Sequence, residues 1–308
     1  MSKLRLRLGT RASALARWQA NWVAAQLSSA GVEVELVLIT TKGDAQTRDP
    51  IGNLGSPGVF TKEIQRALLD ERVDLAVHSL KDLPTDEVDD LCLAAVPERE
   101  SARDVLISRS GLPFDRLPAG AVIGTGSLRR RAQLLYARGD LRMGDIRGNV
   151  DTRLEKLAAG EFDAIVLAHA GLKRLELEDR ITEVFTADWM LPAVGQGALG
   201  IETRAADTAT RQALAVLDHP PTHQAVLAER SLLARLSGGC LAPIGAWGRV
   251  VAGQLQLDAA VLSPDGRERM AASSSAPTTA AVRLGVELAE QLIAGGASEL
   301  IAQARVGE

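Results

Sequence analysis

The sequence predicts an α/β protein, with helices layered on a mostly parallel sheet in its first two-thirds and a smaller α+β segment at its end. Three observations carry this. Short apolar runs alternate with amphipathic helical segments up to about residue 200, the pattern of strands joined by crossover helices. After Gly200 the composition shifts to a helix, a glycine turn, two or three strands and an alanine-rich helix. The 308-residue length holds more than one core, since single domains run at roughly 150 residues.

Leu4 to Leu8 alternates charge with leucine and reads as the first strand. Ser13 is placed to cap a helix in which Leu15, Trp18 and Trp22 recur at helical spacing, and Val32 to Leu38 returns as a strand of period two. Further strands are expected at Asp74 to Val77 and Leu91 to Val96. The charged stretch Pro97 to Arg103 reads as a hinge before a second set near Val105 to Ser108, Ala121 to Ile123, Leu141 to Ile146 and Ala164 to Leu167. A helix follows over Ala205 to Leu217, then strands within Gly245 to Ser273 and a helix over Ala280 to Ala294. The low-complexity run Ala271 to Ala281 reads as a surface connection.

Composition narrows the function. Aromatic residues make up 3% of the chain, too few for base-stacking platforms, and the net charge of −4 gives no general attraction to polyanions. Nucleic acid is therefore not an expected partner. Two cysteines, Cys92 and Cys240, make neither a disulfide framework nor a multi-cysteine zinc site. The N-terminus lacks the apolar core of a signal peptide and no apolar run would span a bilayer, which points to a reducing, cytoplasmic setting.

Cys240 is the most informative residue. Leu232, Leu233 and Leu236 give helical spacing, Gly238 and Gly239 suit a helix stop, and Pro243 prevents the helix from resuming. A lone thiol is thus delivered onto a turn, where nearby cations would favour the nucleophilic thiolate. Cys92, in an apolar strand, reads as a small buried hydrophobe.

Arginines supply the cations. Arg129, Arg130 and Arg131 follow one expected strand, Arg147 and Arg153 the next, and Arg174 a third. That edge of an open α/β sheet is where ligands bind. Gly124 to Arg130 joins a strand to a helix N-terminus, whose free N–H groups favour an anion. Guanidinium groups recognise carboxylate and phosphate, so several together imply a ligand with several anionic groups. Val77 to Pro84 ends another strand and leaves Ser79, Lys81 and Asp82 near the same edge; if extended, Ser79 and Lys81 share a face. His78 reads as structural, because strand neighbours point apart and no Gly-x-Ser-x-Gly elbow is present. His169, His219 and His223 have no metal partner set. Gly195 to Gly200 spells Gly-x-Gly-x-x-Gly, but Pro192 precedes it and an extended run follows. A dinucleotide fingerprint requires a strand leading into a helix, so the glycines read as a chain crossing.

Arg11-Ala12-Ser13, Thr41 to Asp44, Val77 to Pro84, Gly124 to Arg130, Ile146 to Leu154, Gly171 to Arg174, Gly195 to Glu202 and Gly238 to Cys240 together resemble the porphobilinogen deaminase family, in order over nearly the whole chain. The resemblance implies a fold of two doubly wound, periplasmic-binding-protein-like domains flanking a cleft, plus a small α+β C-terminal domain. Residues 1–98 with 196–217 would form the first domain, 103–192 the second and 220–308 the third. It implies condensation of four porphobilinogen molecules to linear hydroxymethylbilane with release of ammonia, on a dipyrromethane cofactor joined to Cys240 by a thioether. Asp82 would be the catalytic carboxylate. Arg11, Arg129, Arg130, Arg147, Arg153 and Arg174 would hold the carboxylates of the pyrrole chain, with Ser13, Ser79, Lys81, Thr125 and Ser127 as polar contacts. A cytoplasmic monomer without metal, membrane or nucleic-acid partner is expected. Pro57 stands where the family commonly has a lysine, and Gly126 where it has a small hydroxyl or alanine.

Two other classes compete. A two-lobed binding protein for small polycarboxylates would use the same arginines without chemistry, but would not need the Gly238-Gly239-Cys240 turn. A phosphoryl transferase would need a phosphate loop and a Mg²⁺ carboxylate pair, which the sequence lacks.

Overall fold

A computed structural model describes residues 4–41, 61–236 and 242–306. The chain divides into two compact units, Met1–Glu100 with Ala198–His223, and Ser101–Gly197 with Gln224–Glu308.

In the first unit, β1 (Arg5–Thr10), β2 (Glu33–Leu38), β3 (Leu75–Ser79), β4 (Leu91–Ala95) and a late strand, Leu199–Arg204, form one sheet. The late strand is β10 in chain order, and the sheet order is β2-β1-β3-β10-β4. β1 pairs parallel with β2 and β3, while β10 runs antiparallel between β3 and β4. Helix α1 (Ala14–Ser29) is capped by Ser13, whose hydroxyl accepts from the Ala16 N–H at 3.4 Å. Its buried face is Gln19, Ala20, Val23 and Leu27, one helical stripe. Successive residues of β3 feed different cores: Leu75 and Val77 pack with α1, and Ala76 packs with Ile64 and Leu68 of α2 (Lys62–Leu69). Both faces are covered, which is why Leu75 to Val77 reads as an apolar run without alternation.

The second unit repeats the plan. Its sheet comprises β5 (Asp104–Ser108), β6 (Val122–Gly124), β7 (Arg142–Gly144), β8 (Ala164–Ala168) and β9 (Glu183–Val184), ordered β7-β6-β8-β5-β9. β6 is parallel to β7 and β8, and β5 is antiparallel to β8 and β9. Ala164 and Val166 join one core and Ile165 and Leu167 the other. Helices α3 (Leu128–Ala137), α4 (Val150–Ala158) and α5 (His169–Arg174) follow β6, β7 and β8. Each unit is therefore doubly wound, with one antiparallel strand set into a parallel sheet.

Beyond β10 come α6 (Thr208–Leu214) and α7 (Pro220–Leu236). The chain ends in an antiparallel sheet, β11 (Ile244–Val251), β12 (Gln254–Leu262) and β13 (Arg269–Pro277), with α8 (Ala281–Ala294) and α9 (Ala297–Val306). Leu255, Leu257 and Val261 of β12 pack on Leu232 of α7 and Leu284 and Leu288 of α8.

Three expectations change. The run from Ala271 is no surface connection: up to Pro277 it belongs to β13, paired residue for residue with β12. Its small residues hide a period-two burial pattern that larger side chains would have displayed. Cys92 is only half-buried, because β4 lies at the sheet edge with β10 as its one neighbouring strand among the described residues, and that burial pushes its thiol pKa up. The helix expected over Ala205 to Leu217 starts later, at Thr208, where Asp207 accepts from the Thr210 N–H at 3.0 Å.

Candidate active site

Within each unit, the polar residues singled out from the sequence lie at the carboxyl ends of parallel strands or on the loops and helices that follow them. In the first unit Arg11 and Ser13 follow β1, and Ser79, Lys81 and Asp82 close its neighbour β3. The buried amide of Gln19 on α1 donates to the Ser79 hydroxyl at 2.8 Å and so ties the helix to the strand end. The extended reading of this segment does not hold past Ser79. Leu80 to Asp82 form one turn of 3-10 helix that buries Leu80, leaves Lys81 half-buried and turns Asp82 outward. His78 is buried against Glu202 of β10; its Nε2 lies 2.9 Å from a carboxylate oxygen without the alignment of a hydrogen bond.

In the second unit Thr125, Ser127, Arg129 and Arg130 follow β6, Arg147 and Arg153 follow β7, and Arg174 ends the helix after β8. Thr125 is buried and its hydroxyl accepts from the Ser127 N–H at 3.2 Å. Ser127 caps α3 by accepting from the Arg130 N–H at 3.4 Å. At Gly126 between them, a Cβ would stand 3.0 Å from the Ile146 carbonyl oxygen, so the missing side chain lets two loops approach closely. Arg147 pairs with Asp145 at 3.3 Å. Arg153 Nε donates to the Gly148 carbonyl at 2.8 Å; Gly148 takes φ +108°, a conformation that favours glycine. Arg174 is buried and donates to the Gly197 carbonyl at 2.7 Å.

Arg129 and Arg130 are also buried, at 4% and 6% exposure, and both meet Asp104. Sequence reading missed Asp104. Its signal was an acid opening the apolar run Val105-Leu106-Ile107, a position that needs a cationic partner once buried. Burial opposes its charge, but Arg129 and Arg130 outweigh burial and hold its carboxyl well below the usual carboxylate range. Burial likewise pulls Arg129 down, against Asp104. A depressed carboxyl contributes stability that is complete above its unfolded pKa, about 3.9, and fades as pH falls toward the folded value. In urea unfolding below about pH 4, Asp104→Asn should flatten the pH dependence by up to roughly 1.4 kcal/mol per pH unit. An unchanged slope would contradict the pairing.

Glu229 of α7 was missed as well. Fully buried, it accepts from the Gly195 N–H at 2.6 Å and the Gly248 N–H at 2.7 Å. The segment from Pro192 to Gly197 is a turn leading into β10, not a strand leading into a helix, as the crossing reading requires. Cys240, its glycines, Lys42 to Asp44 and the Pro57 segment lie outside the described residues. Among the described residues, no helix is long and apolar enough to cross a membrane, and no group of three or more His, Cys, Asp or Glu could hold a metal ion.

The fit to a polycarboxylate cofactor can be tested on the donors. Among the described residues, Arg129 Nε is a buried donor with no acceptor. Two buried guanidiniums face one carboxylate at Asp104, which leaves a cationic surplus. Both observations fit an anionic ligand.

Each unit is thus an α/β layer that carries hydroxyls and guanidiniums after its parallel strands. Residues 6–212 match the family model for the porphobilinogen deaminase dipyromethane cofactor binding domain, and residues 223–294 match that for the porphobilinogen deaminase C-terminal domain. Similar curated proteins include porphobilinogen deaminase of Geobacter sulfurreducens, 49% identical over 98% of this chain and 96% of its own. That of Geotalea uraniireducens is 48% identical over 97% and 94%. The chain belongs to the porphobilinogen deaminase family. Among solved structures, a TRAP periplasmic solute binding protein from Desulfovibrio salexigens aligns at TM-score 0.42 and 10% identity over 70% of this chain and 73% of its own, a level too low to add to the topology above.

Proposed function

We propose that the chain joins four porphobilinogen molecules head to tail, with loss of ammonia, into linear hydroxymethylbilane. The observation that carries this reading, together with family membership, is the set of guanidiniums and hydroxyls past the parallel strands of both sheets. A growing pyrrole chain adds one acetate and one propionate per ring, so its recognition calls for repeated carboxylate binding. Arg11, Arg129, Arg130, Arg147, Arg153 and Arg174 take that part, each charge-assisted bond contributing about 1.5–3 kcal/mol. Ser13, Ser79, Lys81, Thr125 and Ser127 complete it. Asp82, on its turn, accepts from pyrrole N–H groups and stabilises the positive charge that develops as ammonia leaves. When bound through Cys240, the dipyrromethane supplies the free pyrrole position from which the chain grows.

Family membership favours this enzyme over a non-enzymatic carboxylate-binding module. We place it in the cytoplasm, where two cysteines without a disulfide framework are at home, and we expect a monomer.

The test is the intact mass of the purified protein under denaturing conditions, before and after addition of porphobilinogen. An excess equal to two linked pyrrole units, absent from Cys240→Ser, is expected, together with bilane formation by the wild type. A chain that carries no adduct and makes no bilane in porphobilinogen would overturn the reading.

A further inference from the structure

We propose that Asp104 is a positioning residue for this reaction, fixing Arg129 and Arg130 in the arrangement that receives the carboxylates of the pyrrole chain. The inference rests on the functional reading above. It starts from helix geometry: consecutive residues point about 100° apart and do not face each other. Arg129 and Arg130 are consecutive in the first turn of α3, yet their guanidiniums converge. Asp104 draws them together by giving one oxygen to each. Oδ2 accepts from Arg129 Nη1 at 2.8 Å, and Oδ1 accepts from Arg130 Nε at 3.1 Å and Nη2 at 2.8 Å.

Backbone carbonyls hold both guanidiniums as well. Arg129 Nη1 also donates to the Leu191 carbonyl at 2.6 Å, and Arg130 Nη1 to the Val166 carbonyl at 2.9 Å. Gln196, fully buried, donates to Asp104 Oδ1 at 2.9 Å and to the Ala102 carbonyl at 2.7 Å. The carboxylate therefore accepts four hydrogen bonds and has little freedom to move.

Stability alone does not account for this stoichiometry. A buried charge is costly unless neutralised, and a one-to-one pair or an apolar replacement would avoid the surplus. Here, among the described residues, two guanidiniums share one carboxylate and Arg129 Nε has no acceptor. Among the described residues the cluster keeps a net positive charge, held in place before any ligand arrives, which is the condition for binding with little reorganisation.

Charge and positioning make opposite predictions for Asp104→Asn. Removing the negative charge increases the surplus, so attraction alone would tighten carboxylate binding. Loss of position weakens it. The expected result is that Asp104→Asn leaves expression with less than full primer by intact mass, and that its primed fraction shows a KM for porphobilinogen raised roughly tenfold or more, as small misplacements of binding groups produce. Leu117→Ala serves as the structural control: Leu117 is buried in the same unit but precedes β6 instead of following it. It should lower Tm while primer content and KM stay at wild-type values.

Full primer and an unchanged or lowered KM in Asp104→Asn would overturn the proposal. So would equal losses in Leu117→Ala at a matched fall in Tm. If Asp104→Asn does not accumulate folded, Gln196→Leu decides the matter by the same readouts, since it removes one support and leaves both ion pairs: a smaller rise in KM supports the proposal and none overturns it. Failure of the functional reading is distinct, because then the wild type itself would carry no primer and form no bilane.

Discussion

Asp82→Asn should lower kcat for bilane formation by roughly 10²–10⁴ while the covalent primer remains in place. Asparagine keeps the size of the side chain and an acceptor oxygen, so contacts to a pyrrole N–H survive in weakened form. What disappears is the negative charge opposite the cation that develops as ammonia departs. The backbone around it should not change, because the turn is set by buried Leu80, whose N–H donates to the Ala198 carbonyl at 3.0 Å and whose carbonyl accepts from the Leu83 N–H at 3.1 Å. Single-turnover assays on primed protein, read by the ladder of intact masses, separate loading from elongation. A wild-type rate of elongation would remove Asp82 from the chemistry.

Phe185→Ala should destabilise the second unit by about 3–5 kcal/mol, the usual cost of emptying a buried aromatic site. Phe185 is 1% exposed, and its ring stands edge-on to Phe114 and Trp189 at centroid distances of 5.6 and 4.8 Å. Phe114 and Trp189 stack on each other at 5.2 Å, so all three rings share one site and none can readily fill the void. At roughly 2–4 °C per kcal/mol, the melting temperature should fall by about 6–20 °C. Calorimetry checks this, and a loss below about 1 kcal/mol would show that the cluster repacks.

Much of the architecture was legible because the strands of the two larger sheets carry local hydropathy signals. Leu6 and Leu8 alternate with charge in β1, and Ala164 to Leu167 is apolar on both faces because helices cover both. The strand-end position of the arginines followed from the same periods. What the sequence concealed depends on contacts distant along the chain. Asp104 looks like the polar end of a strand until Arg129, Arg130 and Gln196 are brought to it. Glu229 reads as one more acid on a helix until two backbone N–H groups meet it. β9 is two residues long, too short for any period, and β13 is written in alanine and serine, which scarcely differ in hydropathy pattern from a loop. Asp82 was recognised by type, but its outward aim came from the 3-10 turn, which no alternation could reveal.

The placement of β10 carries a consequence for biosynthesis. Ser79 at the end of β3 pairs with Leu199, about 120 residues later in the chain. Until that strand leaves the ribosome, one side of β3 has no neighbour and β4 has no strand to pair with. At about 5–20 residues per second, the N-terminal sheet waits roughly 6–24 s with an open edge while the second sheet is made. Unpaired edges template association between chains. The nascent chain is thus most exposed to aggregation and to chaperone capture in that interval, and truncations that stop before residue 199 should be recovered as insoluble protein even though they contain every residue of β1 to β4.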